Sequence, residues 1–146
     1  MKKISALLTL MLGALMLSGT AFAAEANESH EKMTMGAFEH KVVDNGVRAE
    51  FQIMSLAQMK MKDPKGATHH VMVKLFQDEM NRPITEAEGK IKVIGPDQKS
   101  QVADLENYNG VFAAKISFSQ KGKYGVICLV KINEKKHLFK FWYHNM

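Results

Sequence analysis

Apolar and polar residues alternate along most of the chain from Ala37 to Tyr143, the two-residue period of strands with one dry face and one wet face. Val47, Ala49, Phe51 and Ile53 alternate with Arg48, Glu50 and Gln52. Phe38, His40 and Val42 share a face just before them, across an Asp44-Asn45-Gly46 turn whose Asn and Gly tolerate positive φ. Farther on, Val71, Val73 and Leu75 alternate with His70, Met72 and Lys74. Ile91 and Val93 point inward from a strand over Gly89–Ile94, a weaker strand covers Ser100–Leu105, and Phe112, Ala114, Ile116 and Phe118 line one face of another. The apolar run Tyr124–Ile132 predicts a central strand, and His137–Tyr143 the last one. Turns fall at Asp63-Pro64-Lys65-Gly66, Gly95-Pro96-Asp97, Tyr108-Asn109-Gly110 and Asn133–Lys136, and only Pro83–Ala87 leaves room for a helical turn or two.

This spacing predicts an all-β domain over residues 37–146, a two-sheet antiparallel sandwich of about 7–8 strands. If eight strands alternate in direction, the segment before Ala37, the 54–69 loop and the end of the aromatic last strand meet at one end of the sandwich. Loops at such an end are the usual carriers of binding residues.

The first residues change the picture of where this domain works. Lys2 and Lys3 precede an apolar stretch from Ile4 to Leu17 and an Ala21-Phe22-Ala23 cleavage site, the pattern of a cleaved signal peptide over residues 1–23. The apolar stretch is too short for a stable membrane span, so the processed chain is expected to be periplasmic or secreted, with no stable span. Residues 24–36 are small and polar and read as a flexible arm, which holds His30, Met33 and Met35. Removing Lys2 and Lys3 from the 20 basic residues, against 15 acidic ones, lowers the net charge from +5 to +3. So small and scattered a surplus, outside the cytoplasm, argues against nucleic acid as a partner. Cys128 is the single cysteine, set in an apolar run, and reads as a buried structural thiol rather than half of a disulfide.

No G-x-S-x-G elbow, H-E-x-x-H pair, phosphate-binding glycine loop or haem attachment motif occurs, so the chain is not expected to be an enzyme. The chemistry concentrates instead in Met54–Met72, where Met54, Met59, Met61, His69, His70 and Met72 offer thioether and imidazole donors. That combination suits copper, and the thioethers suit Cu(I) above all. Met59 and Met61 flank a lysine in a polar loop, where a role as core filler is weaker. His69 sits at the mouth of its strand with core-side parity, while His70 and Met72 project together from the other face. Met59, Met61, His69, His70 and Met72 are therefore the candidate metal ligands, with a copper ion as cofactor. Met54, at the end of a polar strand face, reads as core or sheet-edge packing; His40 reads as a packed histidine, and His137 and His144 flank the last strand. The competing interpretation is a metal-free interaction module that docks an envelope complex through its aromatic last strand or a sheet edge.

Asn81-Arg82-Pro83-Ile84 followed by Ala87 resembles the G-x-P-V-x-x-A run of small exported immunoglobulin-like sandwiches, and Gly122-Lys123-Tyr124-Gly125-Val126 their G-x-Y-x-V run. With Thr68–Leu75, THHVMVKL, the chain is similar to the YtkA-like group, broadly allied to CopC-like periplasmic copper carriers. The resemblance implies that the sandwich is immunoglobulin-like, and it implies copper handling and a copper-accepting envelope protein as partner. The chain departs from that pattern by Asn81 in place of Gly and by lacking a histidine at its expected mature N-terminus, which leaves the thioether-rich set as the site the resemblance implies.

Overall fold

The structure, a computed structural model, describes residues 32–34 and 37–146; the expected signal peptide and cleavage site and the remainder of the expected 24–36 arm lie outside the described residues. Along the described residues run β1 (Lys32–Thr34), β2 (Ala37–Asp44), β3 (Val47–Ser55), β4 (His69–Gln77), β5 (Arg82–Ile84) and β6 (Glu88–Ile94). After them come β7 (Ser100–Asp104), β8 (Glu106–Tyr108), β9 (Val111–Ile116), β10 (Gly122–Ile132) and β11 (Lys135–Asn145). None of the described residues is helical. A larger sheet is ordered β1-β2-β3-β4-β9-β8, with β5 also paired to β4, and a smaller one β11-β10-β6-β7. Every pairing is antiparallel. The expected all-β, two-sheet sandwich is the observed fold.

Alternation builds the core. From the larger sheet Phe51, Ile53, Val71, Val73, Leu75, Phe112 and Ile116 are buried, and from the smaller sheet Ile91, Val93, Val126, Cys128, Val130 and Phe139 meet them. The hairpin turns follow their residue types. Asn45 and Gly46 take φ of 48° and 81°, Asn109 and Gly110 take 53° and 91°, and each pair closes a two-residue loop of the kind that favours positive φ.

The structure differs from the strand count at three short pieces. The expected arm supplies β1, whose backbone pairs with the start of β2 (Lys32↔Glu39, Thr34↔Ala37). The expected helical turn near Pro83 is instead the edge strand β5: Asn81, at φ 49°, turns the chain back on β4, and an edge strand tolerates a proline with no N–H. The expected strand over Ser100–Leu105 is β7, and an unexpected strand, β8, follows it because the chain changes sheets at Leu105. There the Leu105 N–H donates to Gly89 O at 2.9 Å, and a Cβ on Gly89 would fall 2.9 Å from Leu105 Cδ1.

Side chains also clasp the sandwich along both seams. On one, the Gln101 amide donates to Ser117 O at 2.6 Å and accepts from Ser117 N at 2.9 Å. On the other, Nδ1 of buried His137 lies 3.2 Å from Asp44 O and 3.4 Å from the Asp44 carboxylate, while Leu138 N–H donates to the same carboxylate. His137 therefore serves the fold. At the 56–68 loop end, the Asn145 amide donates to Phe118 O and Gln120 O, and Tyr143 reaches His69. The C-terminal strand thus ends beside that loop, as strand parity predicts.

Two outcomes test this packing. Phe51→Ala, which empties a fully buried ring position, is expected to destabilise the domain by about 3–5 kcal/mol in urea unfolding. Burial pushes the Cys128 thiol up to about 12. It is therefore expected to resist a thiol reagent in the folded chain and to react once denaturant is added, and rapid labelling without denaturant would contradict the closed core.

Candidate metal centre

The pairing of β3 with β4 decides where the donor atoms go. Ile53 pairs with Val71, and both are almost fully buried against the opposite sheet. Successive residues of a strand face opposite sides, so the flanking positions must face outward. Met54 pairs with His70 and Gln52 with Met72. Met54, His70 and Met72 consequently share the outward face of the larger sheet, each half-buried. Directly opposite residues in such a ladder stand about 4.5–5.5 Å apart at their Cβ atoms, and residues two apart on one strand about 6.5–7 Å, so side chains of this length can meet.

His70 Nδ1 is buried and has no hydrogen-bond partner among the described residues. A buried imidazole nitrogen left in that state costs about 1–3 kcal/mol, so it is the atom of this face that most lacks a partner. On its other side His70 pairs with Lys115 of β9, whose ammonium lies 3.5 Å from the Asp63 carboxylate. Asp63 also accepts Ala67 N–H at 3.0 Å, and that bond, with Lys115, holds its carboxyl below the usual range. Burial first, then the charge of Lys115, keeps the His70 imidazole below its ordinary pKa, which leaves it neutral at pH 7 and able to offer a lone pair. An open groove of about 720 Å³ runs past it, lined by Asp63, Lys65, Gln101, Asp104 and Lys115 among others.

His69 has a different role. Its ring faces the core side of β4, edge-on to Phe118 at 5.0 Å and to Tyr143 at 6.1 Å. Its Nδ1 shares a 2.7 Å hydrogen bond with Thr68 Oγ1, which also accepts Phe118 N–H at 2.8 Å. Strand alternation thus separates the two imidazoles that the sequence groups in one site, sending His69 inward and His70 outward. Met59 and Met61 belong to the turn that follows β3. Leu56, buried, donates to Thr68 O at 2.9 Å and closes the base of the loop, while Met59 N–H and Met61 N–H both donate to Leu56 O. Met59 is half-buried, Met61 half-exposed. His40 is buried and stacked on Phe141 at 4.8 Å, and Met80 is exposed beyond β4. The His30 position lies outside the described residues, as do the side chains of Met33 and Met35.

Met54 is the residue that sequence reasoning placed in packing. Its parity with Gln52 already puts it on the outward face, but its position opposite His70 depends on the β3–β4 register, which no local signal encodes. Among the described residues no group of three or more His, Cys, Asp or Glu could hold a metal, so an ion here would depend on the thioethers. One neutral imidazole and two thioethers fit Cu(I), which favours soft sulfur donors; zinc sites usually bring thiolates or carboxylates.

No family model matches the chain, and no curated protein does. Among solved structures, FetP of uropathogenic Escherichia coli, recombinantly expressed in the periplasm of E. coli, aligns with TM-score 0.54 and 12% identity over 77% of this chain and 99% of its own. A copper-bound variant of FetP aligns with TM-score 0.51 and 13% identity over 82% of this chain and 100% of its own. At such identity the likeness shows the fold. The YtkA-like and CopC-like placement draws no support from these matches.

Burial holds the imidazoles of both His69 and His70 below the ordinary 6.5. As pH falls below 6.5, the unfolded chain takes up those protons before the folded one. Their contribution to stability is complete above that value and is lost towards the lower folded-state values. The urea midpoint of the metal-free protein is expected to drop between about pH 7.5 and about pH 5.5, and to drop less in His69→Gln/His70→Gln. An unchanged drop in the double variant would contradict the assignment of this pH dependence to the pair.

Proposed function

We propose that this chain is an exported copper carrier that holds Cu(I) on the outward face of its larger sheet and passes it to an acceptor in the cell envelope. The observation that carries the reading is the buried, unpartnered His70 Nδ1 between two thioether residues on one sheet face, Met54 across the ladder and Met72 two positions along. His70 would supply the nitrogen and Met54 and Met72 the sulfurs, with Met59 and Met61 on the adjoining turn as further thioethers able to cover the ion or hand it on. A face open to the groove beside His70 suits release better than permanent storage. His69, tied to Thr68 and packed on Phe118, supports the strand mouth in this reading and does not ligate.

Two further facts support copper and export. A protein of the same fold, FetP, is known in a copper-bound variant form and was expressed in the periplasm. The first 23 residues carry a signal-peptide pattern, and no helix among the described residues is long and apolar enough to cross a membrane. The proposed activity is binding and transfer.

Anaerobic Cu(I) titration against a competing chelator tests the assignment. His70→Ala, Met54→Ala and Met72→Ala are each expected to weaken binding at least about tenfold, which is about 1.4 kcal/mol, while His69→Ala leaves affinity nearly unchanged in folded protein. Wild-type affinity retained in all three variants would remove the site.

A further inference from the structure

The smaller sheet turns a second, chemically distinct face to solvent. Tyr124, Val126, Cys128 and Val130 of β10 point into the core, so Lys123, Gly125, Ile127, Leu129 and Lys131 point out. On β11 the same alternation turns Lys136, Leu138, Lys140 and Trp142 outward. Register assembles these into rows: Trp142 lies opposite Gly125, Lys140 opposite Ile127, and Leu138 opposite Leu129. Ile94 and Lys92 of β6 extend the first two rows on the far side of β10, and Lys90 extends the third.

The result is an apolar spine in a basic frame. Trp142 is 56% exposed, Leu138 43% and Leu129 41%; the two leucines are directly paired, and the Ile127–Lys140 row lies between them and Trp142. Lys90, Lys92, Lys123, Lys131, Lys136 and Lys140 border it. Carboxylates on this face are confined to its margin, where Glu88 stands opposite Lys131, Lys90 lies 3.9 Å from Asp104 and Lys131 3.3 Å from Glu134. Lys123 stacks its ammonium 4.4 Å above the Trp142 ring. Beneath that ring Gly125 keeps the backbone low: a Cβ there would lie 3.3 Å from the indole. Trp142 therefore lies across Gly125, and a mainly apolar recess of about 450 Å³ opens beside it, lined by Ile94, Pro96, Gly125, Ile127 and Trp142 among others.

We infer that this face docks an acidic protein surface which inserts one large apolar side chain into the recess beside Trp142. Three properties of the face select that occupant. The lysine frame calls for carboxylates around the contact. The recess calls for a projecting knob, which a folded protein supplies and a bilayer surface does not. A second copy of this chain on a two-fold axis would set lysines against lysines. The proposal is independent of the copper reading, since its residues lie on the opposite sheet and none is among the proposed ligands.

Trp142 is the only tryptophan in the chain, so its fluorescence reports this face directly. The probe is a synthetic acidic peptide of Glu and Asp carrying one central Phe, added to the metal-free protein at low salt. The expected result is a saturable change in Trp142 emission that weakens with added salt, falls at least about tenfold in affinity in Lys92→Glu/Lys140→Glu, and is retained in Glu50→Lys on the other sheet. Replacing the central Phe by Ser is expected to lower affinity by a similar factor. No saturable response, or equal affinity in the Lys92→Glu/Lys140→Glu variant, would overturn the proposal. So would a blue shift with vesicles of equal phosphatidylglycerol and phosphatidylcholine when the peptide gives none, which would assign the face to a membrane.

Discussion

The register between β3 and β4 is the constraint from which the candidate centre follows. Ile53 and Val71 pair and are both buried in the core, which fixes the face that every other position on the two strands takes. A slip of one residue would carry Ile53 to the wet face and Met54 into the core, exchanging the faces along the whole of β3. Hydrophobic burial, with no direct stake in metal chemistry, thus keeps Met54 and His70 on the outward face, and the pairing register sets them opposite each other. The same alternation assigns the adjacent histidines unlike tasks, one closing the core against Phe118 and one facing the groove.

Stability and function are divided between surfaces on this scaffold. The two seams are held by polar clasps at Gln101–Ser117 and Asp44–His137, so the sheets are tied at their margins as well as by their shared core. That leaves the outward faces free to differ. The larger sheet presents soft donors beside mixed charge, including the Arg48 pairings with Glu50 and Asp78, whereas the smaller presents apolar side chains framed by lysine. The two sheets face opposite ways, so the proposed ion site and the proposed docking face do not overlap.

Much of this was legible in the chain itself. The alternation in Val47–Ile53, Val71–Leu75 and Phe112–Phe118 gave the inward faces correctly, and Asn45-Gly46 and Asn109-Gly110 marked true hairpins. Short edge pieces were harder, because β1, β5 and β8 are three residues long and exist through pairing with a longer neighbour rather than through any pattern of their own. The sheet change at Leu105 escaped for a related reason: the backbone it bonds there is that of Gly89, distant in sequence. In the candidate centre, parity showed His70 and Met72 together on one face. Met54 could be joined to them only once β3 and β4 were known to pair in this register.

The most direct test follows individual donor groups while Cu(I) is added, which is possible by NMR because the ion is diamagnetic. With the imidazole nitrogens and methionine methyl groups isotopically labelled, the expected result is that His70 Nδ1 and the Met54 and Met72 methyls shift together at one equivalent of metal, while His69 stays with its Thr68 partner. Movement of His69 with His70 unchanged, or saturation that leaves the Met54 and Met72 methyls where they began, would contradict a centre built on this face.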